Sequence, residues 1–350
     1  MADLSRVPQS PVYCVAEAIK KIPALKGHDI VEIPEIVSVE SNFDLLGAPA
    51  DHPSRSRSDT FYIDEHYVLR TQTTTMWSYY LRDRAVLKML DTEKSVLALC
   101  HGKAYRKDEI DRNHYPVFHQ IDGLRISERA YCEYTIDDLK EILVQIACAV
   151  FGTAIEWRIE DDTFPFTRPS IQLLINWNDQ WLEIVGAGLV NPDVLRLLGL
   201  DPLKYNGWAF GFGLDRIAMI RMDIPDIRIL WSTDERIVRQ FTGIDSRYKP
   251  VSKFPPTDRD ISFVIESSIS VNEIYHLMRE CGVQGNEDLI EEVTLIDTFG
   301  NEKMFGPGKI SRTFRIRYRS PGRTLTTDEF NMVQENVRLL VMKELNAVLR

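Results

Sequence analysis

The sequence predicts an α+β protein with two domains that are joined by a linker. Three observations support this prediction: a helical pattern flanked by strand-like runs, a change to glycine, serine and proline at residues 242–252, and an alternation of strand and helix patterns after residue 253. A chain of 350 residues is long enough for two domains of ordinary size. Helices that cover one face of an antiparallel sheet are a simple architecture for such an order.

The clearest helix in the first part of the chain begins after Thr135. Its apolar residues recur at helical spacing, which predicts one buried face: Ile136, Leu139, Ile142, Leu143, Ile146 and Val150. Thr135 and Asp138 have the spacing of a capping box, in which each side chain binds a main-chain N–H of the first turn. Strand-like runs flank this helix at residues 116–119 and 171–177.

The part after the linker mixes strands and helices on a smaller scale. Strand patterns occur at residues 260–265, 293–296 and 313–318, and helical patterns at residues 271–279 and 328–345. They predict a small domain with helices on one face of an antiparallel sheet. The resulting division is an N-terminal segment of residues 1–30, a domain of residues 31–241, a linker of residues 242–252 and a domain of residues 253–350.

Composition limits the class of protein. The 42 Lys and Arg against 52 Asp and Glu give a net charge of −10, so any binding of nucleic acid must use local basic patches. Five widely separated cysteines without a CxxC pair argue against a disulfide framework and against a thiolate zinc site. No apolar run in the sequence approaches the roughly 18 residues that a membrane span needs.

The first residues do not have the composition of a targeting signal. Residues 1–27 lack the apolar stretch of a secretory signal, and they contain acids and few arginines, unlike an organelle transit peptide. We therefore expect a soluble cytoplasmic protein without a membrane partner. An organelle matrix is the less favoured alternative.

A first cluster of polar recognition groups lies at residues 102–106 and 113–123. Arg106 could stabilise the negative charge that develops on a reacting phosphate. His114 could donate to phosphate oxygens, and the ring of Phe118 could stack on a purine.

The same cluster contains a second set of ligand groups. Gln120 and Asp122 alternate on one strand face, where together they could hold an ammonium or a carboxylate of a ligand. The alternative for the whole cluster is an ordinary hairpin whose charges are solvated.

A second cluster runs from Gly207 to Arg216 and leads into an apolar helix. Gly211 and Gly213 would let the main chain approach a ligand closely, although this pair alone is weak support for a nucleotide site. Arg216 stands just inside the helix, where a positive charge is unfavourable unless an anion lies nearby. The alternative is a turn that serves packing only.

The second domain carries a row of arginines. In a strand over residues 312–319, Arg315, Arg317 and Arg319 lie on one face, and Phe314, Ile316 and Tyr318 lie on the other. An arginine row on an open sheet face suits RNA phosphates and stacked bases. The alternative is a solvated face whose arginines pair with Glu291 and Glu292 on a neighbouring strand.

The two clusters, in their order along the chain, look like motifs 2 and 3 of the class II aminoacyl-tRNA synthetases, and they resemble those of the phenylalanyl-tRNA synthetases. Further segments resemble the family in its own order: residues 43–44, 50–53, 59–61, 69–71, 164–167, 181–183 and 224–228. Residues 253–263 resemble the ferredoxin-fold anticodon-binding domain of the single-chain, organelle-type members. The resemblance covers roughly residues 30 to 350.

The resemblance implies a class II catalytic domain with an antiparallel sheet, followed by a ferredoxin-like domain. It implies that phenylalanine is activated with ATP and Mg²⁺ as an aminoacyl-adenylate and is transferred to tRNA. The implied ATP-binding residues are Arg106, His114, Phe118, Glu183 and Arg216; Arg106 and Arg216 are catalytic and Glu183 holds the metal. The implied amino-acid-binding residues are Gln72, Thr74, Gln120, Asp122, Phe164, Phe166, Ala209 and Gly211. The implied tRNA-binding residues are Arg315, Arg317 and Arg319.

Four positions depart from the family pattern, and all lie on the amino-acid side. Gln72 stands where the family has histidine, Thr74 where it has serine, Trp77 where it has glutamine, and Asp122 where it has glutamate. The residues implied for ATP are unchanged. An alternative is therefore a related enzyme that adenylates a different amino acid or uses an acceptor other than tRNA. The intact ATP residues argue against a non-catalytic RNA-binding relative. Both a monomer and a homodimer remain open.

Overall fold

The computed structural model describes residues 1–284 and 287–350, which fall into two units, Met1–Lys249 and Pro250–Arg350. Each unit has its own buried hydrophobic residues. Both units combine helices with a largely antiparallel sheet, so the predicted α+β class is confirmed.

The first unit, all of whose residues the structure describes, is built around one large sheet. Its strands are β1 (Asp29–Ile30), β2 (Ile36–Ser38), β3 (Tyr67–Leu69), β4 (Ser95–Tyr105), β5 (Val117–Glu128), β6 (Trp157–Phe164), β7 (Thr167–Trp177), β8 (Gln180–Val190) and β9 (Tyr205–Gly213). The large sheet has the order β1-β4-β5-β9-β8-β7-β6, in which β1 runs parallel to β4 and the other neighbours are antiparallel. β2 and β3 form a separate antiparallel pair.

The helices of the first unit lie before, between and after these strands. They are α1 (Pro11–Lys20), α2 (Val39–Asn42), α3 (Met76–Tyr80), α4 (Arg84–Glu93), α5 (Ile136–Phe151), α6 (Pro192–Leu197), α7 (Leu214–Arg221) and α8 (Glu235–Val238). Short 3-10 helices occur at Leu4–Arg6, Pro23–Leu25, Asp44–Leu46, Pro53–Arg55, Thr73–Thr75 and Ile227–Trp231. The predicted helix after Thr135 is confirmed as α5, and Thr135 and Asp138 form its capping box.

The large sheet separates two hydrophobic clusters, and successive side chains of a strand belong alternately to one and to the other. In β5, Ile121 belongs to the cluster that α1, α5 and α7 cover, while Leu124 and Ile126 belong to the cluster that α3, α4 and α6 cover. Successive side chains of a strand point to opposite faces. Phe118, Gln120 and Asp122 therefore share a face with Leu124, and His119 lies on the face of Ile121.

Residues 1–30 fold as part of the first unit. α1 buries Val12, Val15, Ala16 and Ile19 completely, and it packs against α5 and α7. The 3-10 helix Leu4–Arg6 lies against β4. The segment that the sequence division sets apart therefore contributes to the hydrophobic core of the first unit.

The second unit consists of a sheet with two longer helices. Its elements are β10 (Thr257–Glu266), α9 (Val271–Glu280), β11 (Val283–Gln284), β12 (Glu287–Asp288), β13 (Ile290–Gly300), α10 (Glu302–Phe305), β14 (Lys309–Tyr318), α11 (Thr327–Leu345) and β15 (Val348–Leu349). The main sheet is antiparallel, with the order β13-β14-β10-β15. The strands and helices predicted after the linker are confirmed by β10, α9, β13, β14 and α11.

Candidate active site

Two adjoining cavities form a cleft on the face of the large sheet that carries Phe118. The first has a volume of about 670 Å³ and the second of about 530 Å³. Both are lined by Arg106, Phe118, Gly213 and Arg216, so these residues form the wall that the two cavities share. The cleft therefore lies where β5 and the end of β9 meet the start of α7.

All the candidate site residues that the sequence analysis places in the first unit line this cleft. His114 lines the first cavity, and Arg106, Phe118 and Arg216 line both. The remaining candidates line the second cavity: Gln72, Thr74, Gln120, Asp122, Phe164, Phe166, Glu183, Ala209 and Gly211. The structure thus brings these residues together, and the ligands of each one remain predictions.

The shared wall carries two arginines. Arg106 directly follows β4, and its guanidinium lies 5.0 Å from the ring centroid of Phe118. Arg216 lies in the first turn of α7. Within the described residues, neither side chain forms an ion pair or a hydrogen bond. Two guanidinium groups whose N–H donors have no acceptor among the described residues are suited to a phosphate or a carboxylate.

Asp122 places a buried carboxylate in the second cavity. One oxygen accepts a hydrogen bond from the hydroxyl of Thr73, and the other accepts one from the hydroxyl of Thr74 at 2.6 Å. Burial raises the pKa of Asp122 to about 6, against the opposing effect of the two hydroxyl donors. A carboxylate that is costly to bury alone is suited to bind a cation such as an ammonium group.

The turn that carries these threonines is held by Asn42, which the sequence analysis did not select. The buried side chain of Asn42 donates to the hydroxyl of Thr71 at 2.9 Å and accepts from its main-chain N–H at 3.1 Å. Thr73 donates its main-chain N–H to the side-chain oxygen of Gln120 at 3.1 Å. Gln120 therefore supports the turn as well as lining the cavity. In the sequence, the run of three threonines at residues 73–75 is the signal that could have indicated hydroxyl donors at this site.

Two glycines let side chains approach the main chain of the second cavity. Gly186 of β8 and Gly211 of β9 are register partners. A Cβ on Gly211 would lie 2.6 Å from the Oδ1 atom of Asp122, and a Cβ on Gly186 would lie 2.7 Å from the Cζ atom of Phe164. A Cβ at either position would force the Asp122 carboxylate or the Phe164 ring to move. Gly211 therefore lets the Asp122 carboxylate lie close to the main chain of β9.

Aromatic side chains line another side of the second cavity. The rings of Phe164 and Phe166 are nearly parallel, with centroids 5.8 Å apart, and the fully buried Trp77 meets Phe166 edge-on at 5.7 Å. Ala209 is a small residue of the same cavity, and its neighbour Trp208 belongs to the cluster on the other face of the sheet. Trp77 thus adds an aromatic wall beside the two phenylalanines.

His114 of the first cavity is held by its own loop. The carboxylate of Asp111 lies 3.0 Å from the Nδ1 atom of His114 and accepts the main-chain N–H of His114 at 2.7 Å. The imidazole contact and the main-chain donors lower the pKa of Asp111 to about 2. The carboxylate of Asp111 therefore orients the imidazole of His114 at the first cavity.

Glu183 is an exposed carboxylate at the second cavity, without an ion pair among the described residues. The part of the chain that the structure describes contains no group of three or more His, Cys, Asp or Glu residues that could hold a metal ion. Magnesium is often bound by one or two carboxylates together with substrate phosphates. The single carboxylate of Glu183 fits that mode of binding and does not fit an all-protein metal site.

The arginine row of the second unit is paired with acids. Arg315 and Arg317 stand on β14 and alternate with buried Phe314, Ile316 and Tyr318, as predicted, and Arg319 directly follows the strand. Each guanidinium lies within 3.3 Å of a carboxylate: Arg315 of Asp260, Arg317 of Asp258 and Glu292, and Arg319 of Glu291. The pairing that the sequence analysis held as the alternative is therefore present, and this row is not an uncompensated basic patch.

The fold and the cleft define a known class of protein. Residues 2–241 match the family described as tRNA synthetases class II core domain (F), and residues 252–350 match the ferredoxin-fold anticodon binding domain. The chain is thus a class II tRNA synthetase core followed by an anticodon-binding domain.

Individual relatives narrow the class further. The chloroplastic/mitochondrial phenylalanine–tRNA ligase of Arabidopsis thaliana is 41% identical over 91% of this chain and 72% of its own length. The mitochondrial phenylalanine–tRNA ligase of Mus musculus is 35% identical over 94% of this chain and 78% of its own length. The alpha subunit of phenylalanine–tRNA ligase from Caldanaerobacter subterraneus is 39% identical over 66% and 68%, respectively. The chain belongs to the phenylalanine–tRNA ligase family, as the sequence resemblance indicates.

The expected cytoplasmic location is wrong, because similar proteins are named as mitochondrial or chloroplastic. That expectation rested on the composition of residues 1–27. These residues form a 3-10 helix and α1, which pack into the first unit, so their composition reflects folding and not targeting. Among the described residues, no helix is long and apolar enough to cross a lipid bilayer.

Proposed function

We propose that the protein activates phenylalanine with ATP and transfers the aminoacyl group to tRNA. The observation that carries this proposal is one cleft in which two arginines, without a hydrogen bond or an ion pair among the described residues, adjoin a cavity with a buried carboxylate and stacked phenyl rings. An amino acid presents an ammonium, a carboxylate and a side chain to its enzyme. Asp122, Arg106 and the rings of Phe164 and Phe166 complement these three groups in turn.

The first chemical step joins the amino acid to AMP. A carboxylate oxygen of phenylalanine attacks the α-phosphorus of ATP, and the bond from this phosphorus to the pyrophosphate oxygen breaks. Arg106 stabilises the charge that develops on the α-phosphate, and Phe118 and Arg216 enclose the adenine. In the second step a ribose hydroxyl at the end of tRNA attacks the carbonyl carbon, and AMP leaves. Positioning and charge neutralisation are sufficient for both steps, without a covalent enzyme nucleophile.

Magnesium and His114 complete the nucleotide site in this proposal. Glu183 is the residue that would hold Mg²⁺, and the ion would supply positive charge to neutralise the phosphates. His114 donates to a phosphate oxygen from its position beside Asp111. The family match supports the use of ATP and magnesium in general, and the roles of these two side chains rest on where they lie in the cleft.

Amino-acid selection relies on the second cavity. Asp122 binds the ammonium group, with Gln72, Thr74 and Gln120 as neighbouring polar groups and Ala209 limiting the depth of the ring pocket. Trp77 replaces a polar side chain of the family with an aromatic wall against Phe166. An aromatic wall favours an aromatic substrate, so this departure from the family pattern agrees with phenylalanine.

The second unit binds tRNA in this proposal, as its match to an anticodon-binding domain supports. Its arginine row contacts RNA by exchanging carboxylate partners for phosphates. Exposed ion pairs are worth only about 0 to 1 kcal/mol each. The ion pairs of Arg315 and Arg317 are exposed, so an RNA phosphate can displace their carboxylates at small cost, whereas the pair of Arg319 and Glu291 is more buried.

The proposal is tested by ATP–pyrophosphate exchange with each of the standard amino acids. Phenylalanine alone should support strong exchange, and the protein should charge tRNA with phenylalanine. Strong exchange with another amino acid and none with phenylalanine would show a retuned specificity. Exchange with phenylalanine but no charging of any tRNA would show a different acceptor.

The named locations of the relatives suggest where the protein works. We propose that it serves protein synthesis in an organelle that has its own ribosomes. A fluorescent tag at the C-terminus of the complete gene product should then colocalise with mitochondria or plastids. A tag that stays in the cytosol would contradict this part of the proposal.

A further inference from the structure

A buried polar pair, His119 and Asp215, lies at the shared wall of the cleft, and Asp215 also lines the first cavity. His119 is fully buried and Asp215 is 3% exposed. Strand alternation places His119 on the face of β5 that points away from Phe118. Asp215 stands in the first turn of α7, directly before Arg216. His119 is thus adjacent in sequence to Phe118, and Asp215 is adjacent to Arg216, and both of these neighbours line the two cavities.

The carboxylate of Asp215 makes two kinds of contact with His119. It accepts the main-chain N–H of His119 at 2.5 Å, and its oxygens lie 3.1 and 3.2 Å from the Nδ1 atom. On the other side of the ring, the Nε2 atom accepts the main-chain N–H of Leu4 at 3.0 Å. Since Nε2 is an acceptor, Nδ1 carries the hydrogen and donates it to Asp215.

The surroundings leave the imidazole little freedom. The ring of Trp231 lies 5.3 Å from that of His119 at an angle of 35°. Asp3 also approaches, but its carboxylate is 3.7 Å from Nε2, which is too long for a hydrogen bond. The contact between His119 and Asp215 is therefore buried. Both ring nitrogens of His119 have a hydrogen-bond partner, and the ring of Trp231 packs against the imidazole.

This contact lies where the sheet pairing ends. Gln120 of β5 pairs with Gly213 of β9, and this is the last pair of the two strands at this end. Beyond Gly213 the chain turns into α7, so main-chain hydrogen bonds no longer hold it to β5. The side chain of Asp215 makes the next connection. It joins the strand that carries Phe118 to the helix that carries Arg216.

We propose that His119 and Asp215 are positioning residues that set the spacing between Phe118 and Arg216, and thereby the affinity of the site for the purine of ATP. This proposal rests on the proposed function, because it takes the space between these two residues as the purine site. Neither member of the pair needs to touch the nucleotide for this role.

The first test replaces Asp215 by Asn. An amide can still accept the main-chain N–H of His119, but its own N–H would face the Nδ1 hydrogen. Unpaired buried donors are costly, so we expect the KM for ATP to rise about tenfold or more in ATP–pyrophosphate exchange. The KM for phenylalanine should stay within about twofold, because the ring and ammonium subsites do not contact α7 through this pair.

Two variants at position 119 distinguish the effect of losing the hydrogen bond to Asp215 from the effect of changing the size of the side chain. In His119→Asn an amide N–H can occupy the place of Nδ1 and keep the bond to Asp215, whereas His119→Leu has no donor. We expect the KM for ATP to stay within about threefold of wild type in the first variant and to rise about tenfold in the second. This comparison also carries the test if Asp215→Asn does not fold.

The control is His101→Leu. His101 is a buried histidine on the neighbouring strand β4. Its Nδ1 atom lies 2.9 Å from the hydroxyl of Ser5 in the same N-terminal segment, and among the described residues no hydrogen bond or ion pair joins its side chain to α7. The His101→Leu variant should lower the melting temperature as His119→Leu does, but it should leave the KM for ATP unchanged. An equal rise in both variants would overturn the proposal, as would a wild-type KM for ATP in folded His119→Leu and Asp215→Asn.

Calorimetric binding of ATP with Mg²⁺, without any amino acid, separates this proposal from the proposed function. If wild type binds ATP but supports no exchange with any amino acid, the proposed function fails, and the ATP affinities of the variants still decide the positioning role. If wild type binds no ATP, both proposals are wrong.

Discussion

Protonation of Asp122 should control the binding of phenylalanine between pH 5 and pH 7. With a pKa of about 6, the carboxylate is about nine-tenths ionised at pH 7 and about one-tenth ionised at pH 5. Only the ionised form attracts the substrate ammonium. We therefore expect the KM for phenylalanine to rise about tenfold over this range as the pH falls.

The assay is ATP–pyrophosphate exchange at several pH values, with wild type and Asp122→Asn. The asparagine variant lacks the titrating group, so its KM for phenylalanine should be high at every pH and should not rise further in acid. A flat profile for wild type, or the same slope in both proteins, would show that Asp122 does not bind the ammonium.

The same shift has a second effect, on the free energy of unfolding. Since the folded-state pKa is raised, protonated Asp122 favours the folded state fully below pH 4, and this contribution is lost as the pH rises through 6. The shift from 3.8 to about 6 corresponds to roughly 3 kcal/mol. Asp122→Asn should therefore be more stable than wild type at pH 7 in urea unfolding, with a smaller difference at pH 4. A less stable variant at pH 7 would refute the reasoning.

Three further perturbations test other parts of the molecule. Gly211→Ala places a Cβ 2.6 Å from the Asp122 carboxylate, so the KM for phenylalanine should rise at least about tenfold in the exchange assay, and a wild-type value would place the ammonium elsewhere. Arg216→Ala should lower the exchange rate at least about a hundredfold, because it removes one wall of the proposed purine site together with its charge, and an unchanged rate would remove Arg216 from the ATP site. Ending the chain at Lys249 should preserve exchange, because the cleft lies in the first unit; charging assays should show a severe loss, and full charging would show that the second unit serves another purpose.

Periodicity made several elements of this fold predictable. The apolar spacing from Ile136 to Val150 marks the buried face of α5, and the alternation from Phe314 to Tyr318 marks the two faces of β14. Both patterns are local, so each can be recognised within one element. The cleft residues were located through the order of family motifs, because they come from segments more than 100 residues apart.

Contacts between distant segments could not be predicted in the same way. Thr73 reaches Asp122 because a short 3-10 turn, held by Asn42, faces β5. No spacing in the sequence marks that approach. The arginine row shows the same limit, since alternation gives its face but not the register that sets Arg315 opposite Asp260 on β10.

The paired glycines at the bottom of the second cavity restrict how this enzyme could be engineered for larger, non-standard amino acids. Where a pocket is bounded by side chains, trimming one of them creates room, but Gly186 and Gly211 have no side chain to remove. A Cβ on either would push against the Phe164 ring or the Asp122 carboxylate, which are the groups that bind the substrate in this proposal. Directed evolution of substrate scope should therefore randomise Trp77, Phe166 and Ala209 and keep both glycine codons constant.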